Sequence, residues 1–198
     1  RSHSGPERTT QSDGTSTVIV GRIWALASSA QRPRSLQHRV APGEPQLEVR
    51  WFLKTFHLTP AEGAISDPAA TVIFVDARSP RHLPHPLLPE QVIEVIDHHP
   101  LLEGDEVFPN AFTQIEEMGA AATLVAERFQ KARITPSKES ALLLYAGILS
   151  NTFNFVYATQ RDRAMANWLR DLSGAPEDLP QQLFTAKSDV CGSKLSEV

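Results

Sequence analysis

The 198-residue sequence contains one cysteine, Cys191. A single thiol cannot close an internal disulfide, so the cross-linked scaffold of a small secreted protein is excluded and nothing points to export. No apolar run approaches the ~20 residues that cross a bilayer. The N-terminus has no signal-peptide pattern. A basic excess is also missing, since the formal net charge is −4, and no broad cationic face is implied for nucleic acid. A phosphate pocket needs only local positive charge or a metal, so phosphate ligands stay open. A cytoplasmic protein without membrane or nucleic-acid partners is the expectation. No internal repeat is visible.

What is present is ordinary for a globular chain: 41% hydrophobic and 21% charged residues, in a length that supports one domain with a full core. Residues 1–16 are rich in Ser, Thr and Gly and read as a disordered leader or an expression remnant. Thr17–Gly21 reads as a buried strand. Ile23–Ala27 could open a helix, which Pro33 and then Pro42, Gly43 and Pro45 would interrupt; Leu36–Val40 could form a weak strand between them. Gln46–His57 has the spacing of a helix with a broad apolar face, with Trp51 as a core or interface residue.

Thr71–Asp76 is continuously apolar until its terminal acid, and Gln91–Asp97 repeats the pattern. Both read as strands covered on both faces. The proline-rich stretch between them reads as a loop. Helices follow over Gly119–Ala132, from Lys138 to about Leu149 with Ser137 as cap, after Thr159 with Asp162 in a capping arrangement, and over Leu179–Ala186. Strands alternating with helices predict an α/β fold: a doubly wound, mostly parallel sheet flanked by helices. Ligands of such sheets bind beyond the C-terminal strand ends, where Asp76 and Asp97-His98-His99 fall.

Carboxylates beside neutral imidazoles suit manganese, zinc or iron. Asp76 could share a metal with His98, while Asp97 could orient a neighbouring ring. Two such ions would activate a water and polarise a phosphoryl group. Arg78 could contact a phosphate through its fork of donors. His82 and His85 lie in the proline-rich loop, from which they could reach the site, and otherwise read as exposed. Gly119 could either offer amides to a phosphate or pack closely on the sheet. Arg161 and Arg163 read as a solvated helix face, and the Gly119–Ala122 run as tight packing.

Val95-Ile96-Asp97-His98-His99-Pro100 resembles the name-giving motif of the DHH-family phosphoesterases, which include manganese-dependent inorganic pyrophosphatases and exopolyphosphatases. Phe74-Val75-Asp76 resembles that family's second motif, Glu117–Glu127 the helix after the DHH motif, Ala146–Phe155 the fourth motif, and Phe184–Asp189 the segment leading out of the first domain. The resemblance covers roughly residues 17–195. It implies Asp76 as a bridging metal ligand, His98 as a ligand of one metal, and His99 near the substrate phosphate. Asp97, His98 and His99 then form the catalytic set. The implied metal is Mn2+, with Mg2+ as the alternative.

The sequence departs from the family pattern in three places. Asn151 stands where the fourth motif supplies an aspartate; a neutral amide oxygen can coordinate but weakens the charge balance. No acid occurs between Asp13 and Glu44, where the first motif normally holds both metals. The chain ends at Val198, about where a C-terminal DHH-associated domain would begin, so a single DHH-type domain over 17–198 is expected. The implied function is metal-dependent hydrolysis of phosphoanhydride bonds in pyrophosphate or short polyphosphate. The alternatives are a non-catalytic DHH domain that binds a phosphorylated ligand or a protein, and a scaffold that forms a homodimer.

Overall fold

The structure is a computed structural model. It describes residues 17–21, 37–40, 45–59, 69–100 and 108–188, with side chains from residue 45 onward. The expectations for residues 1–16, Ile23–Ala27, the stretch that replaces the first motif, and Cys191 fall outside the described residues.

Five parallel strands form one sheet: β1 (Thr17–Gly21), β2 (Gln37–Val40), β3 (Thr71–Val75), β4 (Val92–Asp97) and β5 (Phe112–Ile115). Their order is β2-β1-β3-β4-β5, and every pairing is parallel. The helices are α1 (Leu47–Thr55), α2 (Ala121–Ala132), α3 (Lys138–Asn151), α4 (Gln160–Ser173) and α5 (Leu179–Ser188). A parallel sheet flanked by helices is the fold expected above.

The two faces of β3 and β4 are covered differently. Ile73, Val75 and Ile96 face a cluster built from all five helices, including Phe52, Leu124, Phe129, Leu144 and Leu169. Val72, Phe74 and Val95 face the opposite way, against Leu87, Leu83 and Phe108 from loops. Phe74 and Phe108 meet edge-to-face at 5.4 Å. Alternating side chains on a strand buried on both faces explain the unbroken apolar run. Trp51 is half-buried and packs against the helical cluster.

Helix α3 is the centre of the helical layer. Every residue from Ala141 to Ser150 is buried. A segment that is apolar all round can be a helix only if it is enclosed. Ser137 Oγ accepts the Ser140 N–H at 3.1 Å at its start. At its end Lys187 of α5 donates to the Ser150 carbonyl at 3.0 Å, where a cation also opposes the negative end of the helix dipole. Phe153, Asn154 and Phe155 then turn through left-handed backbone, with φ of 50°, 54° and 70°. The Asn154 N–H to the Leu149 carbonyl (2.8 Å) and the Tyr157 N–H to the Thr152 carbonyl (3.0 Å) hold that turn.

One helix start and one strand differ from the expectation. Helix α2 begins at Ala121, two residues beyond Gly119. The edge strand β5 has no counterpart in the sequence reading. It is four residues long, and Phe112 points to solvent, so it carries neither an apolar run nor a clean alternation. Arg161 is also more than a solvated residue. It pairs with Glu127 of α2 and with Glu116 after β5 at 2.5 and 2.7 Å, bracing α4 across the sheet edge.

Candidate metal centre

β3 and β4 run side by side in parallel, with Val75 opposite Ile96. Their C-terminal ends therefore deliver Asp76 and Asp97 to the same level of the sheet. The Asp76 N–H donates to the Ile96 carbonyl at 2.8 Å, extending the ladder by one residue. Asp76 itself takes left-handed backbone, with φ of 60°. Aspartate tolerates this region better than most residues, at a cost of about 1–2 kcal/mol. Strain of this kind collects at functional sites.

Asp97 organises the turn that follows. Its Oδ1 accepts the His98 N–H at 2.7 Å, the His99 N–H at 3.4 Å and His99 Nδ1–H at 2.8 Å. With Nδ1 of His99 donating, its Nε2 carries the lone pair, and the ring is about half exposed. Asp97 is buried and orients His99.

His98 is held from the opposite side. Its Nδ1 lies 3.0 Å from the Met118 carbonyl, which only accepts, so Nδ1 carries the proton. In the neutral ring Nε2 then presents a lone pair to Asp76 Oδ1 at 3.1 Å. Two acceptors at this distance need a proton or a metal cation between them. Burial opposes charging the ring. The Asp76 hydrogen bond, the Met118 carbonyl and the negative charges of Asp76 and Asp97 outweigh it, so the His98 pKa lies above its ordinary value.

Asp76, Asp97, His98 and His99 each offer a ligand atom within 4.8 Å of the others. The donor set is oxygen and imidazole nitrogen, and it includes two buried carboxylates. Manganese and similar divalent ions fit that chemistry. Asp76 and His98 would hold the ion, and a bound cation would supply charge stabilisation at a phosphoryl group.

Arg78 is half-buried, two residues past Asp76. Asn151 is the half-buried last residue of α3. The next residue, Thr152, packs so closely on Gly119 that a Cβ there would lie 2.7 Å from Thr152 Cγ2. The fourth-motif segment therefore adjoins the peptide that binds His98. The Gly119 amide donates to Asp162 Oδ2 at 3.1 Å, which favours close packing over phosphate binding at this position. His82 and His85 are exposed, as expected.

Comparison with known proteins gives the same family. The chain is 33% identical over 146 residues to a cobalt-dependent inorganic pyrophosphatase of Clostridium perfringens, covering 72% of the chain and 25% of that protein. It is 29% identical over 154 residues to a manganese-dependent inorganic pyrophosphatase of Methanothrix thermoacetophila, covering 76% of the chain and 49% of that protein. The chain is a relative of the DHH-type pyrophosphatases. It spans about a quarter to a half of the length of these two relatives. No family model matches it. The DHH-type fold is also seen in a Methanococcus jannaschii protein assigned to the family II inorganic pyrophosphatases. The TM-score is 0.72 at 22% identity, covering 87% of the chain and 61% of that structure.

Proposed function

We propose that the chain is a metal-dependent phosphoesterase that hydrolyses the phosphoanhydride bonds of inorganic pyrophosphate or a short polyphosphate, with manganese as the resident ion. The observation that supports this most directly is the convergence of Asp76, Asp97, His98 and His99 at two adjacent strand ends. The relatives named above are pyrophosphatases dependent on cobalt or manganese, and the donor chemistry here agrees with such ions. Asp76 and His98 hold the cation, with Asn151 as a further oxygen ligand. Asp97 fixes His99 so that its outward Nε2 and the Arg78 guanidinium meet the substrate phosphate. Residues 17–198 act as one DHH-type unit in the cytoplasm, able to form a homodimer.

Among the described residues no helix is long and apolar enough to cross a membrane. The test is phosphate release from pyrophosphate, tripolyphosphate and a simple phosphomonoester with added manganese. The expected order is anhydrides hydrolysed and the monoester spared, with loss of activity in His98→Ala. Manganese and pyrophosphate binding without release would instead identify a binding domain.

A further inference from the structure

The hydrogen bonds that hold His98 continue past the metal cluster. Its Nδ1–H donates to the Met118 carbonyl. The other end of that same peptide group, the Gly119 N–H, donates to Asp162 Oδ2 at 3.1 Å. Asp162 belongs to α4, 43 residues further along the chain, and is fully buried. Its Oδ2 also accepts the Thr159 N–H and the Thr159 hydroxyl, both at 2.7 Å. Its Oδ1 accepts the Thr123 hydroxyl at 2.5 Å.

A capping residue needs only its own helix end. Asp162 does that with Thr159 and also reaches two other segments. Gly119 is shaped to meet it, because a Cβ at that position would lie 2.6 Å from Asp162 Oδ2. Only glycine lets this peptide approach the carboxylate so closely. A charged acceptor on a peptide N–H gives a strong hydrogen bond and polarises the carbonyl at the other end.

We propose that Asp162 is a positioning residue for His98, acting through the Met118–Gly119 peptide. It holds the peptide plane so that the Met118 carbonyl takes the proton of Nδ1 and Nε2 is presented toward Asp76. Its consequence for metal binding rests on His98 being a ligand, but the imidazole geometry does not. Partners that orient a ligating histidine typically cost 10-fold to 100-fold in metal affinity when lost. With a peptide interposed, the lower end, about tenfold, is expected.

The test is 1H and 15N NMR of the imidazole N–H groups in metal-free protein at mildly acidic pH, where a proton also lies between Nε2 and Asp76, followed by a manganese titration. Wild-type His98 is expected to hold a slowly exchanging proton on Nδ1. Asp162→Asn keeps the shape but removes the charge, and is expected to speed exchange of that proton and to weaken manganese binding about tenfold. Thr123→Val removes the donor to Oδ1 yet leaves the Gly119 link. It is expected to lower stability while keeping the wild-type Nδ1 exchange rate and manganese affinity. Gly119→Ala, which forces the same peptide off the carboxylate, serves where Asp162→Asn does not fold. A freely exchanging Nδ1 proton in the wild type, an unchanged exchange rate in Asp162→Asn, or an equal response in Thr123→Val would each overturn the proposal. The Nδ1 proton is read without metal or substrate. An inactive or metal-free chain therefore leaves this result interpretable.

Discussion

At the scale of residues, the site is a balance of charge. Two buried carboxylates, Asp76 and Asp97, end adjacent strands, and His98 stands between Asp76 and a carbonyl that fixes its tautomer. The position most open to improvement is Asn151. In the proposed ligand set its neutral amide faces the cation, so a carboxylate there would add one negative charge, and ligand charge count tunes affinity for hard divalent ions. Asn151→Asp is expected to tighten manganese binding by about tenfold in a calorimetric titration. An unchanged Kd would place Asn151 outside the ligand set. The strand-end cluster was legible in the sequence, because two apolar runs each terminate in an acid. The His98 tautomer was not, because its partner is a backbone carbonyl twenty residues away that has no sequence signature.

At the scale of elements, caps and core packing can be separated by measurement. Ser137 caps α3 from an exposed position with one backbone hydrogen bond. Ser137→Ala is expected to cost about 1 kcal/mol in denaturant unfolding. Phe129 is fully buried in the helical cluster, and Phe129→Ala is expected to cost about 3–5 kcal/mol through lost burial and the cavity left behind. A smaller loss for Phe129 than for Ser137 would contradict the assignment of this core. The helices were readable from capping residues and spacing: Thr159 with Asp162 closes a capping box, and Gly174 ends α4 with φ of 66°. Strand β5 was not, because an edge strand of four residues with two exposed ones has no distinctive pattern. The reach of Asp162 to Gly119 was also hidden, since it exists only once α4 packs against the segment after β5.

At the scale of the molecule, the cluster ties the strand ends to the helical layer through Met118, Gly119 and Asp162. An ion bound there should stabilise the whole fold by mass action. At a hundred times its Kd, a ligand specific for the folded state adds about 2.7 kcal/mol. For a chain of this length that corresponds to a rise in Tm of about 5–10 °C. Manganese is expected to give this rise in a thermal scan, and a chelator to reverse it. A Tm indifferent to manganese would separate the cluster from metal binding.

The most direct measurement is manganese binding followed by electron paramagnetic resonance, with His98→Ala beside the wild type. Bound manganese loses the sharp signal of the free ion. Saturable binding by the wild-type chain that is lost in His98→Ala is the expected result. No binding, or binding that survives His98→Ala unchanged, would contradict the assignment of the strand-end cluster as a metal centre.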